Sequence, residues 1–383
     1  MQKEKLVPAI RFKGFGEDWN NKLVKSLGYI TTGNSNTKDS VLNGAYPFFI
    51  RSDKPLRSNK YLYDEEAVIT IGDGNIGKVF HYINGKFDLH QRCYKISNFT
   101  DILGKYFYWY FSSNFYDRVI RMSAKATVDS VRLEMIADME IYFPYNKKEQ
   151  SKISTFLDSL DSLIHSQELK LEKLQTIKQS LLNNMFASFE RKMPKIRFKA
   201  FVENFEVIRL NEIAEYKNGK GHEKFVLEKG KYILVNSKFI SSNASQCKYT
   251  NINISPLFKN DIVMVLSDIP GGKALAKTFL IDNDNKYALN QRICALTSKS
   301  TSPIYLSIIL NRNSQLLALD DHVNQTNINR QQVMDLLLLI PSYAEQQKIG
   351  QFFSNLDSLI HSQEQKLEKL NNIKQALLEK MFC

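Results

Sequence analysis

The strongest pattern of apolar and polar positions in this chain lies in two stretches. In the first, Ile153, Phe156, Leu160, Leu163, Ile164, Leu171, Leu174, Ile177, Leu181 and Met185 recur at mixed steps of three and four, the mark of a helix with one apolar stripe. Residues 349–382 repeat residues 153–186 with 23 of 34 positions identical, so the second stretch is the same helix again. Each follows a proline and a capping-box pair, Asn146 with Glu149 and Ser342 with Glu345, which predicts well-defined starts. A stripe of this length needs a partner. In a duplicated chain with a pseudo-twofold axis, the two copies are expected to pair antiparallel, with a globular half at either end. At roughly 1.5 Å per residue the pair would form a rod of about 50 Å, comparable with about 15 base pairs of duplex. Gln167 and Gln363, with His165 and His361, fall in or beside the stripe and read as register-setting or solvated positions rather than ligands.

Elsewhere the pattern changes to short β-rich runs broken by Gly, Asn and Asp. They fall at 46–50, 68–71, 78–82 and 92–96, then at 232–236, 262–266, 274–280 and 292–296, with one helix per half near 102–121 and 303–319. The expected fold class is α+β: two mixed α/β domains separated by two long helices in an antiparallel coiled coil, built as a pseudo-twofold internal repeat. The segments are 1–148, 149–193, 194–344 and 345–383. Weaker echoes support the duplication: PAIRFKGFGEDW at 8–19 returns as PKIRFKAFVENF at 194–205, and LHQRCYKI at 89–96 returns as LNQRICAL at 289–296. The 196-residue offset of the helices is far longer than a solenoid repeat.

Composition adds a location for the charge. The net charge is +12, and Lys plus Arg against Asp plus Glu counts 22 against 16 in 1–148, 6 against 6 in 149–193, 19 against 13 in 194–344 and 5 against 5 in 345–383. The whole excess sits on the globular halves, where a polyanion would bind, and the neutral helices call for a different partner. The start MQKEKLVPAIRF has no signal-peptide core, and the longest apolar run, 336–340, is too short for a bilayer, so a cytoplasmic protein without membrane contact is expected. Cys93, Cys247, Cys294 and Cys383 lie far apart without a CxxC pair, against a disulfide framework or thiolate metal site.

One motif suggests nucleotide chemistry. The run GDGNIGK, from Gly72 to Lys78, satisfies GxGxxG and nearly satisfies a phosphate-binding loop. Val79 lacks the hydroxyl that would hold Mg²⁺, and the following VFHYI alternates as a strand rather than opening a helix, so a tight hairpin with Lys78 at its tip is the better reading. Such a tip could touch DNA through Asp73, Asn75 and Lys78, and its counterpart through Ser267, Asp268 and Lys273. Other side chains suited to phosphates and base edges are Lys38, Arg51, Ser52, Lys54, Arg57 and Lys60 in the first half. Lys217, Lys220, Lys224, Asn236 and Lys238 are those of the second. The recurring Gln91-Arg92 and Gln291-Arg292 read as structural, because halves that read different sequences would not share a reader. No catalytic constellation is found: no NPPY-type or HExxH motif, and no acidic cluster of nuclease type.

Taken together, PAIRF with Trp19, the turn IGDGNIGK, LHQR, a proline with Glu149-Gln150 opening a helix that contains KLEKL, and then the same series ending in Glu345-Gln346, resemble the specificity subunit of type I restriction-modification enzymes. Phe205 stands where the first half has Trp19. The resemblance implies a non-catalytic subunit whose two target recognition domains each read half of a bipartite double-stranded DNA target, with the helices as ruler and docking rod. It implies two methyltransferase subunits that use S-adenosylmethionine on adenine, and two restriction subunits that use ATP with Mg²⁺. No cofactor is expected in this chain itself.

Overall fold

The computed structural model describes residues 7–123, 130–189 and 191–382. It divides into two compact units, Met1–Leu169 with Glu364–Cys383, and Lys170–Gln363. Each unit therefore holds one globular lobe, the beginning of the long helix that follows it, and the end of the other long helix. No helix among the described residues is long and apolar enough to cross a membrane.

The long helices run Lys147–Asn184 and Tyr343–Met381. Within the first unit Asp161 pairs with Lys374, and within the second Lys178 pairs with Asp357. In each unit the helix segments are thus antiparallel, and the two ion pairs are images of one another under the repeat offset. Along the first helix and just past its end, buried or half-buried residues recur at 153, 157, 160, 164, 167, 171, 174, 178, 181 and 185, with further covered positions at 149, 150, 154, 158, 161, 182 and 184. The recurring set alternates steps of four and three, a heptad seam. Phe156, Leu163 and Ile177, which the sequence places in the stripe, stand one position off it and are exposed, while Leu157 takes the seam position. Gln167 and Gln363 are buried within the seam, as a register-setting position requires, whereas His165 is solvated beside Glu168.

In the first lobe, six strands lie in the order Tyr29–Thr32, Cys93–Ser97, Tyr63–Ile71, Phe80–Leu89, Tyr46–Phe49, Leu56–Ser58. Phe80–Leu89 is antiparallel to Tyr63–Ile71 and, farther along, parallel to Tyr46–Phe49. It keeps its antiparallel partner through Phe87 and takes the parallel one at Asp88 and Leu89, and within the antiparallel ladder Gly85 has a φ of +134° that a side chain would strain. Both ends of the strand reach Phe49: the His81 ring lies 4.9 Å from it, and Leu89 is its strand partner. Ala67, Ile69, Ile71, Phe87, Leu89 and Cys93 fill the space enclosed. The helix Gly104–Ser123 covers the other face with Tyr106, Phe107, Phe111 and Phe115.

The second lobe repeats this plan with one strand cut in two. Ala214–Asn218, Ile293–Ser298, Ile262–Val265 and Thr278–Leu280 form one sheet, and Lys248–Thr250, Tyr232–Val235 and Tyr287–Leu289 another. Thr278–Leu280 and Tyr287–Leu289 do the two tasks that Phe80–Leu89 does alone, because the intervening IDNDNK is turn-forming and Asn285 sits at φ +53°. The helix expected at 303–319 breaks into Pro303–Leu310 and Ser314–Leu317, since Asn311 accepts from the Thr278 amide, Arg312 turns left-handed at φ +53° and Asn313 caps the second piece. The strand expected at 274–280 starts only at Thr278, because the Ala274 and Leu275 amides bond instead to the Asp268 carboxylate.

Candidate nucleic-acid interface

The repeated residues form a frame. Arg11 donates two hydrogen bonds, 2.6 and 2.8 Å, to the buried Glu149 carboxylate, and Arg197 does the same to Glu345 at 2.8 and 2.7 Å. Hydrogen bonding to Glu345 raises Arg197 above the ordinary arginine range although burial opposes it. The adjoining glutamines clamp the lobe helices: Gln150 accepts from the Leu103 amide and donates to the Pro144 carbonyl, and Gln346 treats Ser302 and Pro341 alike. The capping box is therefore only half right. Asn146 caps the first helix by accepting from the Lys148 amide, but Glu149 turns away to Arg11, because a buried bidentate ion pair outweighs one more amide bond.

The same frame docks each helix end. Ile10 donates its amide to the Lys380 carbonyl and Ile196 to that of Asn184. Phe382 stacks edge-on against Tyr106 at 5.7 Å, and Phe186 lies 5.8 Å from Tyr305. Gly33 and Gly219 are matched as well: an added Cβ would come within 1.9 Å of the Leu89 carbonyl oxygen and 1.8 Å of that of Asn290. Those close approaches let the loops after the first lobe strands lie on the strand ends that lead into LHQR and LNQR.

On this frame the first lobe knits several loops into one rim. Asp73 accepts from Arg51 at 3.0 Å and from Arg92 at 2.7 Å. Burial opposes its ionisation, but those two guanidinium groups hold its carboxyl below the usual range. His81 Nε2 donates to the Ser52 carbonyl at 3.0 Å, which fixes its tautomer, and burial keeps its pKa low. His90, 3% exposed, is likewise pushed down, first by burial and then by the charges of Arg51 and Arg92. Ser35 donates to the buried Asp88 and exchanges backbone bonds with Leu89 and Gln91.

The Gly72 turn is not a phosphate loop, and neither is it a tight hairpin. Eight residues, 72–79, separate the two strands, and the strand Phe80–Leu89 follows where a phosphate loop would have a helix. Lys78 is not a free tip: its ammonium sits 4.9 Å over the Tyr116 ring. The structural reading of Gln91-Arg92 and Gln291-Arg292 has a clear basis, since Arg92 and Arg292 offer their carbonyls to the amides of Gly72 and Leu266, Arg292 from a left-handed φ of +64°.

Several sequence candidates have partners inside the lobes. Arg57 donates to the Gly44 and Ala45 carbonyls, Lys60 faces Asp39, Ser52 accepts from the Lys54 amide, Lys217 reaches the Pro256 carbonyl and Asn236 caps Phe239. Lys38, Lys54, Asn75, Lys220, Lys224, Lys238 and Lys273 are exposed, and their side chains make no hydrogen bond or ion pair among the described residues. Lys38, Arg51, Ser52, Lys54, Asp73, Asn75 and Lys78 lie on the interlinked loops of the first rim. In the second lobe, Lys220 and Lys224 lie on the loop joined through His222 to Asn290, and Asn290 in turn binds the Val235 carbonyl beside Asn236 and Lys238. Sequence reasoning missed Tyr116, and also the segment 320–327, whose run of amides was its only signal.

Two α/β lobes held on a repeated frame of paired helices, each carrying a loop rim with uncommitted basic side chains, define a duplicated recognition protein. The chain belongs to the type I restriction modification DNA specificity domain family, whose model matches residues 16–176 and again 202–372. It is 26% identical over 160 residues to the specificity subunit of the type I restriction enzyme EcoDI of Escherichia coli, a match covering 42% of this chain and 35% of that one. A putative type I specificity subunit of Mycoplasma genitalium is 23% identical over 223 residues, 56% of this chain and 57% of that one. The matches thus span from about a third to over half of the length of these relatives. In fold, the chain is similar to the crystal structure of a type I restriction-modification S subunit from M. genitalium, with TM-score 0.70 and 18% identity over 98% of this chain and 99% of that one.

Proposed function

We propose that this chain is the DNA-specificity subunit of a type I restriction-modification complex, each lobe reading one half of a bipartite double-stranded target. One observation carries the reading. The frame is the same twice over, down to Arg11–Glu149 and Arg197–Glu345, while the rims it presents differ in loop length and side chains. A shared frame with unlike rims suits one assembly that reads two unlike sequences. The uncommitted lysines supply sequence-independent attraction to phosphates.

The helices set the spacing of the half-sites and dock two methyltransferase subunits. Exposed Phe156, Leu163 and Ile177 on one helix, with Leu359 and Ile373 on the other, fall at multiples of seven residues, which supports a helical protein partner on their outer faces. Catalysis belongs to those partners: adenine methylation with S-adenosylmethionine, and ATP- and Mg²⁺-dependent cleavage by two restriction subunits. The assembly works in the cytoplasm. The test is to map methylated adenines in cells that carry the methyltransferase partner with and without this chain. A split motif that appears only with the chain is expected, and methylation independent of the chain overturns the reading. Lengthening both helices by one or two turns should widen the unspecified gap, and an unchanged gap removes the spacing role.

A further inference from the structure

The second lobe, on the reading just proposed, reads half of a DNA target, and its geometry points to a reading element outside the lysine-rich loops. After Ser314–Leu317 the chain returns through residues 320–327 and lays that loop on the turn following Ile262–Val265. Ser267 and Asp268 pair antiparallel with Asn327 and Thr326, Gln325 Nε2 donates to Ser267 Oγ at 2.6 Å, and the Ile328 amide donates to the Leu266 carbonyl at 2.7 Å. The first lobe makes the same joint, with Asp73 bridged to Ser130 and the Val131 amide donating to the Gly72 carbonyl at 2.7 Å. The joint therefore belongs to the frame, and what the loop displays is particular to this lobe.

The loop is braced from within. Asp320 accepts from Thr326 Oγ1 at 2.9 Å and from the His322 amide at 3.0 Å. Asp321 accepts from the amides of Val323 and Asn324, both at 2.9 Å, and from Asn324 Nδ2 at 3.1 Å. Each of the Asn324 and Gln325 side chains thus has one N–H engaged inside the lobe, while a second N–H and the carbonyl oxygen stay available. A donor and an acceptor on one amide edge match N7 and the N6 amino group of adenine in the major groove. Val323, 76% exposed, and Ile269, 69% exposed on the facing turn, hold aliphatic groups out in water beside these amides, which suits a thymine methyl. Lys273, on the same turn, is exposed and has its carbonyl fixed by Arg312 Nη1 at 2.7 Å, in place for a phosphate.

We propose that residues 320–327, docked on the Ser267 turn, read A·T pairs in the half-site of the second lobe: Asn324 and Gln325 recognise adenine, and Val323 with Ile269 contacts thymine methyls. The experiment compares methylated motifs produced by the complete complex carrying the unaltered chain, Asn324→Ala, Gln325→Ala or Val323→Ser. Val323 is exposed enough that its replacement spares the fold. One or two adjacent A·T positions in one half-site should relax by about tenfold in each variant, with the other half-site unchanged. An unaltered motif in all three variants overturns the proposal, and so does a fall in methylation with no change of sequence. A complex whose unaltered chain directs no split motif sinks the parent reading and this one together, whereas an intact motif in the variants sinks this one alone.

Discussion

Arg11 closes on Glu149 across 138 residues of sequence, with the carboxylate side chain 1% exposed, and the pair recurs as Arg197 with Glu345. Each pair pins the IRF segment at the start of a lobe to the helix that leaves it. Removing one partner strands a buried charge, which costs about 3–5 kcal/mol. Glu149→Ala should therefore destabilise the first unit and Glu345→Ala the second, each by that amount. Hydrogen exchange resolved along the chain checks this, and equal loss of protection in both units after either change would refute it.

Phe382 and Phe186 make a less obvious prediction, because each stabilises a lobe from the far end of the sequence or from the preceding helix. Phe382, 6% exposed, packs on Tyr106 and Tyr110, and Phe186 on Tyr305 and Phe353. Phe382→Ala should cost about 3 kcal/mol in the first unit, at the low end for a buried aromatic, although residue 382 follows the second lobe in sequence. Local protection of Tyr106 and its neighbours is the readout, and no change there would show the contact to be idle.

How much of this was legible beforehand depended on how local the signal was. The long helices could be read because their periodicity repeats for many turns, and the duplication because 23 positions coincide. The seam itself was read one position off at Phe156, Leu163 and Ile177, because apolar residues occupy neighbouring positions and only packing chooses between them. Glu149 looked like a cap because its partner, Arg11, is remote in sequence. The site was less legible still. Whether a lysine is free, like Lys220, or committed, like Lys217 to the Pro256 carbonyl, is decided by a loop 39 residues away.

The histidines of the first rim carry a pH dependence. Burial lowers the His81 and His90 pKa values from 6.5, so the unfolded chain binds their protons more readily than the folded one. Their contribution is complete above that value and is lost as pH falls below it toward the folded-state pKa. Asp73 acts lower on the scale: with a folded pKa below 3.8, its contribution persists above that value and is lost only as pH falls through the folded one. The melting temperature of the first lobe should thus fall as pH is lowered from about 7 to 5, and His90→Gln should flatten that slope. An unchanged slope in this variant would assign the effect to other groups.

Lys54 and Lys220 separate attraction from reading. Both are exposed and uncommitted, so each is expected to meet phosphate rather than a base edge. Lys220→Ala should weaken binding by the complex to every DNA sequence alike and lower the slope of log affinity against log salt by about one. Titration of matched and unrelated duplexes at several salt concentrations decides it, and a loss confined to the matched duplex would make Lys220 a base reader instead.

Exchange of the second lobe tests modularity and the return loop in one design. A boundary at residue 325 would leave Thr326 and Asn327 of the recipient against a foreign turn, breaking the pairing with Ser267 and Asp268. A boundary after Ile328 moves the whole joint, and Asn329 then starts the next helix, Arg330–Met334, with its own capping box. Replacing residues 210–328 with the equivalent lobe of a relative should transfer one complete half-site and spare the other. The shorter exchange, 210–325, should transfer the same half-site with relaxed positions where the return loop reads. If both exchanges specify identical motifs, the joint plays no part in recognition, and if either alters both half-sites, the two lobes are not independent readers.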